Sequence, residues 1–454
     1  MNRIVALLLG LALAAPGMTF AETDTINPES GGDDLLEIYR QAVSNDPQIR
    51  RARAERDAAL ETRPQARSLL LPSISIFGNV DYSDQDFRSL TQVGVPQDPD
   101  ERSGDFTTTA YGIRLTQALF DATAIARLRQ AGAVVARAEA EYGAARQDLI
   151  VRAAEAYLEV LSAQDGLDFA QAEKAAIERQ MQQARQQFEV GVIAITGVQE
   201  AQAARDLAVA REIEARRELM SAREQLRELT GMYAETLRPL QDEIPLATPE
   251  PLDVEAWVEG ALRQNLQLQA ARQSRDAAGS ELSSARGERL PRIELTAGWQ
   301  RIDSEGVVTE AEFDETSVGV QLTMPLFAGG AINSRVREAT AEQEQARQGA
   351  EQQQRAVERL TRDAFLGLES SASQVRALRQ AVRSNQTALE SVEAGLEAGT
   401  RTNVEVLDAR RELFRARRDF ANARYQYVLN TLRLKQAAGT LGPDDLEEVN
   451  SWLR

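Results

Sequence analysis

Four short segments of the chain alternate between apolar and polar residues. In the last of them, Val318, Val320 and Leu322 are separated by small or polar residues. This period of two predicts β-strands with one apolar and one polar face, as in outer-membrane barrels. Any single segment would equally suit a half-buried strand of a soluble sandwich, but two matched pairs favour a membrane. The predicted strands cover residues of about 73–83, 107–118, 291–302 and 316–325.

Most of the remaining chain has a helical pattern. In its second half, Leu368, Val375, Val382, Leu389 and Leu396 recur at steps of seven residues, flanked by charged and amide side chains. Such a narrow apolar stripe is typical of a coiled-coil seam. A helix of about 70 residues would be ~105 Å long. The predicted helices cover residues of about 34–70, 121–190, 196–231, 253–289, 329–398 and 402–438.

The two halves of the chain contain the same landmarks in the same order. We therefore predict two tandem structural repeats, over 22–231 and 253–438, each with long helices and two strands. A linker over 232–252, rich in proline, and a tail over 439–454 would lie at mid-height of the helices. The matching landmarks are Leu71-Pro72 with Leu290-Pro291, Leu119-Phe120 with Leu326-Phe327, and Gly191 with Gly399.

The first segment predicts export from the cytoplasm. A short basic start is followed by an uncharged apolar run over 4–14 and by small residues around Ala21. This is typical of a signal peptide over 1–21, and the run is too short for a transmembrane anchor. The chain has no cysteine, so we expect no lipid anchor.

Composition narrows the possible chemistry. The chain has no histidine and no cysteine, and its formal net charge is −18. Sites of the Ser-His-Asp, Cys-His or Cys/His-zinc type are therefore excluded, and an acidic chain does not suit nucleic acid. Enzymes built on Asp, Glu, Lys or Tyr remain possible on composition. The carboxylates lie on regular helix faces, however, and no nucleophile–base pair can be named, so we expect no enzyme activity, no cofactor and no metal. Aromatic residues make up only 5%, which suits thin helical walls better than a thick core.

Four strands are too few to close a barrel, and open strand edges are not tolerated in lipid. The sequence therefore predicts that several copies pool their strands, without fixing their number. The loops of about 84–105 and 303–315 are rich in aspartate and glutamate and would face outside. Whether these loops bind anything or are simply solvated stays open.

The chain resembles the TolC family of outer-membrane efflux ducts. The resemblance runs across the mature chain. It implies a homotrimer with a 12-stranded β-barrel continuous with a 12-helix α-barrel, mainly α in content. Such ducts lie in the outer membrane with a periplasmic helical tunnel. They work with a periplasmic adaptor (membrane fusion) protein and an inner-membrane transporter, in efflux or type I secretion. The most specific stretches are 190–196, 326–330, 399–402 and 406–409.

The resemblance also implies a gate at the periplasmic tip. Arg401 matches the family's entrance arginine, and Glu405 and Asp408 match its acidic rings. Crowded like charges would raise some of their pKa values and attract cations; ordinary solvated helix charges are the alternative. Thr196 and Glu200 are further predicted gate residues. The chain departs from the family at Gly197 and Leu396, where the usual partners of the arginine stand, so Glu200 is a candidate substitute partner of Arg401.

The turns at the tip are the predicted adaptor contacts. They contain Gly191 and Val192 in the first half, and Gly399 and Thr400 in the second. The glycines could also serve only to relieve the turns. The competing function is a periplasmic coiled-coil adaptor or structural protein, which would lack strands with an apolar face. The sequence does not identify the pump, the adaptor or the cargo.

Overall fold

The computed structural model describes residues 33–88, 101–234, 236–241, 243–306 and 311–454. The predicted signal peptide over 1–21 lies outside them. The described chain is mainly helical with one small antiparallel sheet, as predicted. In chain order the elements are α1 (Leu35–Asn45), α2 (Pro47–Leu60), α3 (Thr62–Ser68), β1 (Ser73–Arg88), β2 (Glu101–Phe120), α4 (Ala122–Glu189), α5 (Ile195–Thr230), α6 (Val254–Gln264), α7 (Leu266–Gly287), β3 (Arg292–Gly306), β4 (Ala311–Thr323), α8 (Ala331–Glu397), α9 (Asn403–Ala438) and α10 (Pro443–Asn450).

Two long helices set the dimensions of the molecule. α4 has 68 residues and α8 has 67, so each is ~100 Å long. α5 and α9 have 36 residues each and return along about half of that length. Asp121 fixes the start of α4 by accepting hydrogen bonds from the backbone N–H groups of Thr123 and Ala124 at 2.8 and 3.1 Å.

The helices predicted as single elements over 34–70 and 253–289 are divided in the structure, into α1–α3 and α6–α7. The first break is at Asp46, which precedes Pro47 and is therefore pushed out of the helical region, to φ −60° and ψ 120°. Asn265 has nearly the same backbone angles without a proline, and its side chain caps the next helix by accepting from the N–H of Leu268 at 3.0 Å. Both polar residues end one helix and begin another.

The seam predicted along α8 packs mainly against α9. Val375 is fully buried, and Leu368 and Leu389 are buried too. Asn385 occupies a polar position in this seam, and its amide donates to the Ala381 carbonyl of the same helix at 2.9 Å. The polar side chain is therefore satisfied without a partner on α9.

The sheet carries one continuous apolar face. Its order is β1-β2-β3-β4, and every neighbouring pair is antiparallel. Ile76 lies opposite Ile113, and Ile113 lies opposite Trp299. Leu295 lies opposite Val320. Directly opposite residues share a face, so the apolar residues of all four strands lie together. Ile76 is nevertheless 82% exposed, and no described segment covers this face.

The strands are longer than predicted and take in part of the acidic loops. Asp84 lies in β1, Glu305 in β3 and Glu312 in β4. Asp98, Asp100 and Glu310 lie outside the described residues.

The helices continue below the sheet as a single layer. Near the sheet, α2 and α3 contact α4, α4 contacts α7, and α7 contacts α8. In the half away from the sheet, α4 lies between α5 and α9, and α9 contacts α8. The layer therefore has two lateral edges within the described chain. One is formed by β1, α2–α3 and α5, and the other by β4 and α8.

The linker and the tail are bound to the middle of the long helices. Three buried side chains hold the linker: Tyr157 donates to the Arg238 carbonyl at 2.7 Å, Arg424 to Gln241 at 2.9 Å, and Tyr427 to Ala247 at 3.1 Å. The tail, which contains α10, lies beside the linker, and the Arg454 N–H donates to the Pro239 carbonyl at 3.0 Å. Most of the buried apolar core lies at this level.

In the part of the chain that the structure describes, none of the helices is both long enough and apolar enough to span a membrane.

Candidate gate and docking surface at the helical tip

The two long helices end at turns on the side away from the sheet. Each turn has a glycine with a left-handed backbone, Gly191 with φ 78° and Gly399 with φ 73°. The next residue donates to the carbonyl five positions back, from Val192 to Gln187 and from Thr400 to Gly395, both at 2.8 Å. These are the hydrogen bonds of a Schellman motif. A Cβ added at either glycine would meet no atom within 4 Å, so the turns need glycine for its backbone freedom alone.

The second turn is fixed by a capping box. The Thr402 hydroxyl accepts from the Glu405 N–H at 3.3 Å, and the Glu405 carboxylate accepts from the Thr402 N–H at 2.7 Å. The same carboxylate pairs with the Arg401 guanidinium at 2.7 Å. Two of the predicted gate residues therefore lie together at the start of α9.

Local hydrogen bonds favour the ionised form of the Glu405 carboxylate. Its pKa is lowered, first by the N–H of Thr402 and then by the side chains of Arg401 and Thr402. Within one chain this is the reverse of the raised pKa expected for crowded carboxylates. The crowding would need further copies of the chain, so the carboxylate ring stays a prediction.

Asp408 follows one turn later on α9 and is exposed. It pairs with Arg411 at 3.2 Å. Glu405 and Asp408 therefore lie within the first two turns of α9. Their arginine partners are Arg401, just before the helix, and Arg411 within it.

The first turn, at Gly191, has no capping box like that of Thr402 and Glu405 at the second turn. The residue that precedes α5 is Ala194, which has no side chain to cap the helix. Thr196 and Glu200 are exposed on α5, and among the described residues no hydrogen bond or ion pair joins Glu200 to Arg401. A contact between these two would need a second copy and stays a prediction.

An exposed apolar patch surrounds the first turn. Val190 and Val192 are 74% and 70% exposed, and Phe188 and Ile195 are 41% and 46% exposed. Of these four residues, only Val192 was predicted from the sequence as an adaptor contact. The signal in the sequence was a run of apolar residues at a glycine turn, outside any helical seam that could bury them.

A second feature that the sequence analysis missed is the Arg410 link. The Arg410 guanidinium pairs with Glu393 of α8 at 2.7 Å. It also donates to the Ala176 carbonyl and the Gln180 side chain of α4, at 3.3 and 3.2 Å. Gln180 is buried and donates to the Asn403 carbonyl at 3.2 Å. One arginine thus joins three helices near the tip.

The chain was compared with known proteins. The family model described as outer membrane efflux protein matches residues 38–232 and 257–440. Outer membrane protein TolC of Vibrio cholerae is 38% identical over 97% of this chain and 98% of its own length. Alkaline protease secretion protein AprF of Pseudomonas aeruginosa is 32% identical over 91% of this chain and 86% of its own.

The fold agrees with these matches. A solved structure of the outer-membrane channel OprN superposes with a TM-score of 0.75 at 21% identity, over 90% of each chain. The family model spans both halves of the chain, with their helices and strands. This chain therefore belongs to the outer membrane efflux protein family.

Proposed function

We infer that the chain is an outer-membrane channel of an efflux pump or type I secretion system. It is a transport protein rather than an enzyme. It lies in the outer membrane, and its helices form a tunnel in the periplasm. Its partners are an adaptor protein and an inner-membrane transporter.

One observation carries this function. The four strands present a single apolar face that the chain leaves exposed, and their opposite face holds Ser75, Asn79, Thr296 and Gln321. In a membrane, a sheet with one apolar and one polar face is typical of a water-filled barrel, whose apolar face contacts lipid and whose polar face lines the lumen. A periplasmic adaptor, the competing function, has no use for such a sheet.

Three copies together complete the wall of the channel. Each copy supplies four strands and a single layer of helices whose two edges lie on opposite sides. Joining one edge to the other edge of the next copy is a heterologous contact, which generates a ring. Three copies supply twelve strands, enough for a barrel with an aqueous lumen, whereas a single copy leaves two edges unpaired in lipid.

The gate lies at the tip. Arg401, Glu405 and Asp408 of each copy surround the axis at the tunnel entrance, with Thr196 and Glu200 on the neighbouring hairpin. Support comes from their position at the ends of the long helices and from the ordered cap at Thr402. The adaptor docks on the turns at Gly191, Val192, Gly399 and Thr400. The apolar patch at the first turn provides area for such a contact.

Single-channel recording tests the function. The purified chain, inserted in a planar bilayer, should give small, stable conductances, and its mass in detergent should be three times that of the protomer. Arg401→Ser should raise the conductance because it removes charge pairing at the entrance. Arg415→Ser is the matched control, since among the described residues Arg415 forms an ion pair only with Glu412, at an exposed position of the same helix. A chain that gives no conductance would contradict the channel, and equal conductances of the two variants would contradict the gate.

A further inference from the structure

The polar face of the sheet carries an arginine at Arg114 of β2. This residue lies directly opposite Ser75 of β1 and Gly298 of β3, and Gly298 lies opposite Ser317 of β4. Because side chains alternate along a strand, Arg114 points away from the apolar face to which its neighbour Ile113 belongs. In the proposed channel, Arg114 would therefore face the lumen of the barrel.

Arg114 is the only long side chain at its level of the sheet. Ser75, Gly298 and Ser317 are all small, and Gly298 cannot be replaced by a larger residue without displacement. A Cβ there would lie 3.1 Å from the Ile113 carbonyl oxygen. Three copies would place three guanidinium groups at this level, with small residues and open space between them.

An aromatic ring orients the guanidinium group. The Arg114 Cζ lies 4.9 Å from the centroid of the Phe77 ring, on the neighbouring strand β1. Phe77 is half-buried and Arg114 is exposed. Such a cation–π contact uses the flat face of the guanidinium group. The N–H donors at its edge remain available, in the fork geometry that matches carboxylate and phosphate oxygens.

No carboxylate neutralises Arg114 within the described residues. The structure records neither an ion pair nor a hydrogen bond of its side chain among them. The residues diagonally opposite Arg114 on the two neighbouring strands are uncharged, namely Ser73, Phe77, Thr296 and Gln300.

The nearest acidic residues of the same face have partners of their own. Glu315 of β4 lies one level away and accepts a hydrogen bond from Gln300 at 2.7 Å. Glu294 of β3 lies two levels away on the other side and pairs with Arg292 at 2.5 Å. The charge and the donors of Arg114 are therefore left for a solute in the lumen.

We propose that Arg114 forms an oxyanion-binding ring inside the barrel, which binds the carboxylate or phosphate groups of solutes that pass through the channel. Phe77 is the positioning residue of this ring. The inference rests on the proposed function, because only the assembled barrel brings three copies of Arg114 around one lumen.

Block of single channels by anions tests the ring. None of the described helices suits a membrane span, so protein added to one chamber should leave its helices there and open its barrel to the other. Inorganic tripolyphosphate and tricarballylate, added in turn to that second chamber, should reduce the current when the voltage drives anions into the barrel. Block by one of them alone would assign the ligand class, phosphate or carboxylate.

Arg114→Gln should weaken the block by about tenfold or more, because it removes a charged, bidentate donor. Arg114→Lys keeps the charge but not the fork, so its block should lie between those of the native chain and the glutamine variant. This second variant carries the test if the first does not assemble.

Arg301→Gln is the matched control. Arg301 belongs to the same sheet but lies on its opposite face, on the same side as Trp299, and pairs with Glu312. Its replacement should leave the block unchanged. Channels that neither anion blocks, or that are blocked equally with and without Arg114, would overturn the ring while the channel function stands. A native chain without conductance would overturn the proposed function itself.

Discussion

Two buried threonines illustrate how a single hydroxyl group affects stability. Thr361 of α8 is completely buried, and its hydroxyl has no hydrogen-bond partner in the part of the chain that the structure describes. Thr230 is also buried, but its hydroxyl lies 2.9 Å from the carbonyl oxygens of Leu226 and Met232. An unsatisfied buried polar group is costly, whereas a bonded one contributes net stability.

We expect opposite effects from the same substitution at these two sites. Thr361→Val keeps the shape of the side chain and removes an unbonded hydroxyl, so thermal stability should be unchanged or higher. Thr230→Val removes a bonded hydroxyl and should lower the free energy of unfolding by about 1 kcal/mol. Urea unfolding followed by far-UV circular dichroism measures both. A loss at Thr361 as large as that at Thr230 would contradict the assignment.

A buried carboxylate makes stability depend on pH. Burial raises the pKa of Asp165, although Tyr425 donates a hydrogen bond to it at 2.7 Å and Arg424 and Arg454 lie near enough to oppose the shift. The folded chain therefore holds this proton more tightly than the unfolded chain. Its contribution to stability is present at low pH and is lost as the pH rises through the raised pKa.

Asp165→Asn should remove this dependence, because the amide keeps an acceptor for Tyr425 and does not titrate. Relative to the native chain, the variant should gain stability at pH 8 and should not gain at pH 4. Urea midpoints at the two pH values measure the difference. Glu159→Gln, at an exposed position of the same helix, is the control. A gain that is equal at both pH values would show that burial of Asp165 is not its cause.

At the scale of elements, the tip half depends on polar links between helices. In this half the clusters of buried apolar residues are small: Ile177, Ala204, Ala208 and Leu407 form one, and Leu389, Val406 and Leu413 another. Arg410 supplements them by joining α9 to both α8 and α4. The second hairpin is therefore joined at its tip by an arginine in addition to apolar packing.

Arg410→Ala should loosen this junction. We expect faster amide hydrogen exchange near 176–189 and 391–412, with little change around the linker, where the core is large. Arg411→Ala is the matched control, since in the described part of the chain Arg411 forms an ion pair only with Asp408 of its own helix. If exchange rose equally in both variants, the link to α4 would have no mechanical role.

At the scale of the whole molecule, the proposed assembly would have two kinds of junction in the tip half. Inside a copy, Ile177 of α4 packs against Leu407 of α9, and both are buried. The equivalent positions between copies, offset by 208 residues, are Asn385 of α8 and Gln199 of α5. A polar junction is the weaker one in water, so the tip should open between copies rather than within them.

Replacing this polar pair by an apolar pair should favour the closed tip. Asn385→Leu combined with Gln199→Leu should lower the open probability in planar bilayers, because the open state would expose the new apolar area. The control is Gln386→Leu combined with Gln202→Leu. Gln386 is the residue next to Asn385, and Gln202 lies about one helical turn after Gln199. An open probability that is unchanged by the first pair would place the weak junction elsewhere.

The sequence by itself determined the kinds of element and their approximate ends. Apolar residues that recur every two residues share one face of a strand, and those that recur every seven share one face of a helix. This local geometry predicted the strands and the long helices. Glycines marked the turns at 191 and 399 because only glycine adopts a left-handed backbone without strain. The break at Asn265 has no proline to mark it, and its amide donates to the Ala437 carbonyl, 172 residues away. The break at Asp46 was missed although Pro47 marks it locally.

The tertiary structure decided which residues meet. The pairing of Arg401 with Glu405, the reach of Arg410 across three helices and the capping of α9 by Thr402 depend on rotamers and on the packing of distant segments. The order of the strands likewise follows from contacts that no local pattern contains. The two opposite lateral edges can also be identified only in the folded chain, because an edge is formed by those helices and strands that have a packed neighbour on one side alone. Those edges are where further copies would join in the proposed channel.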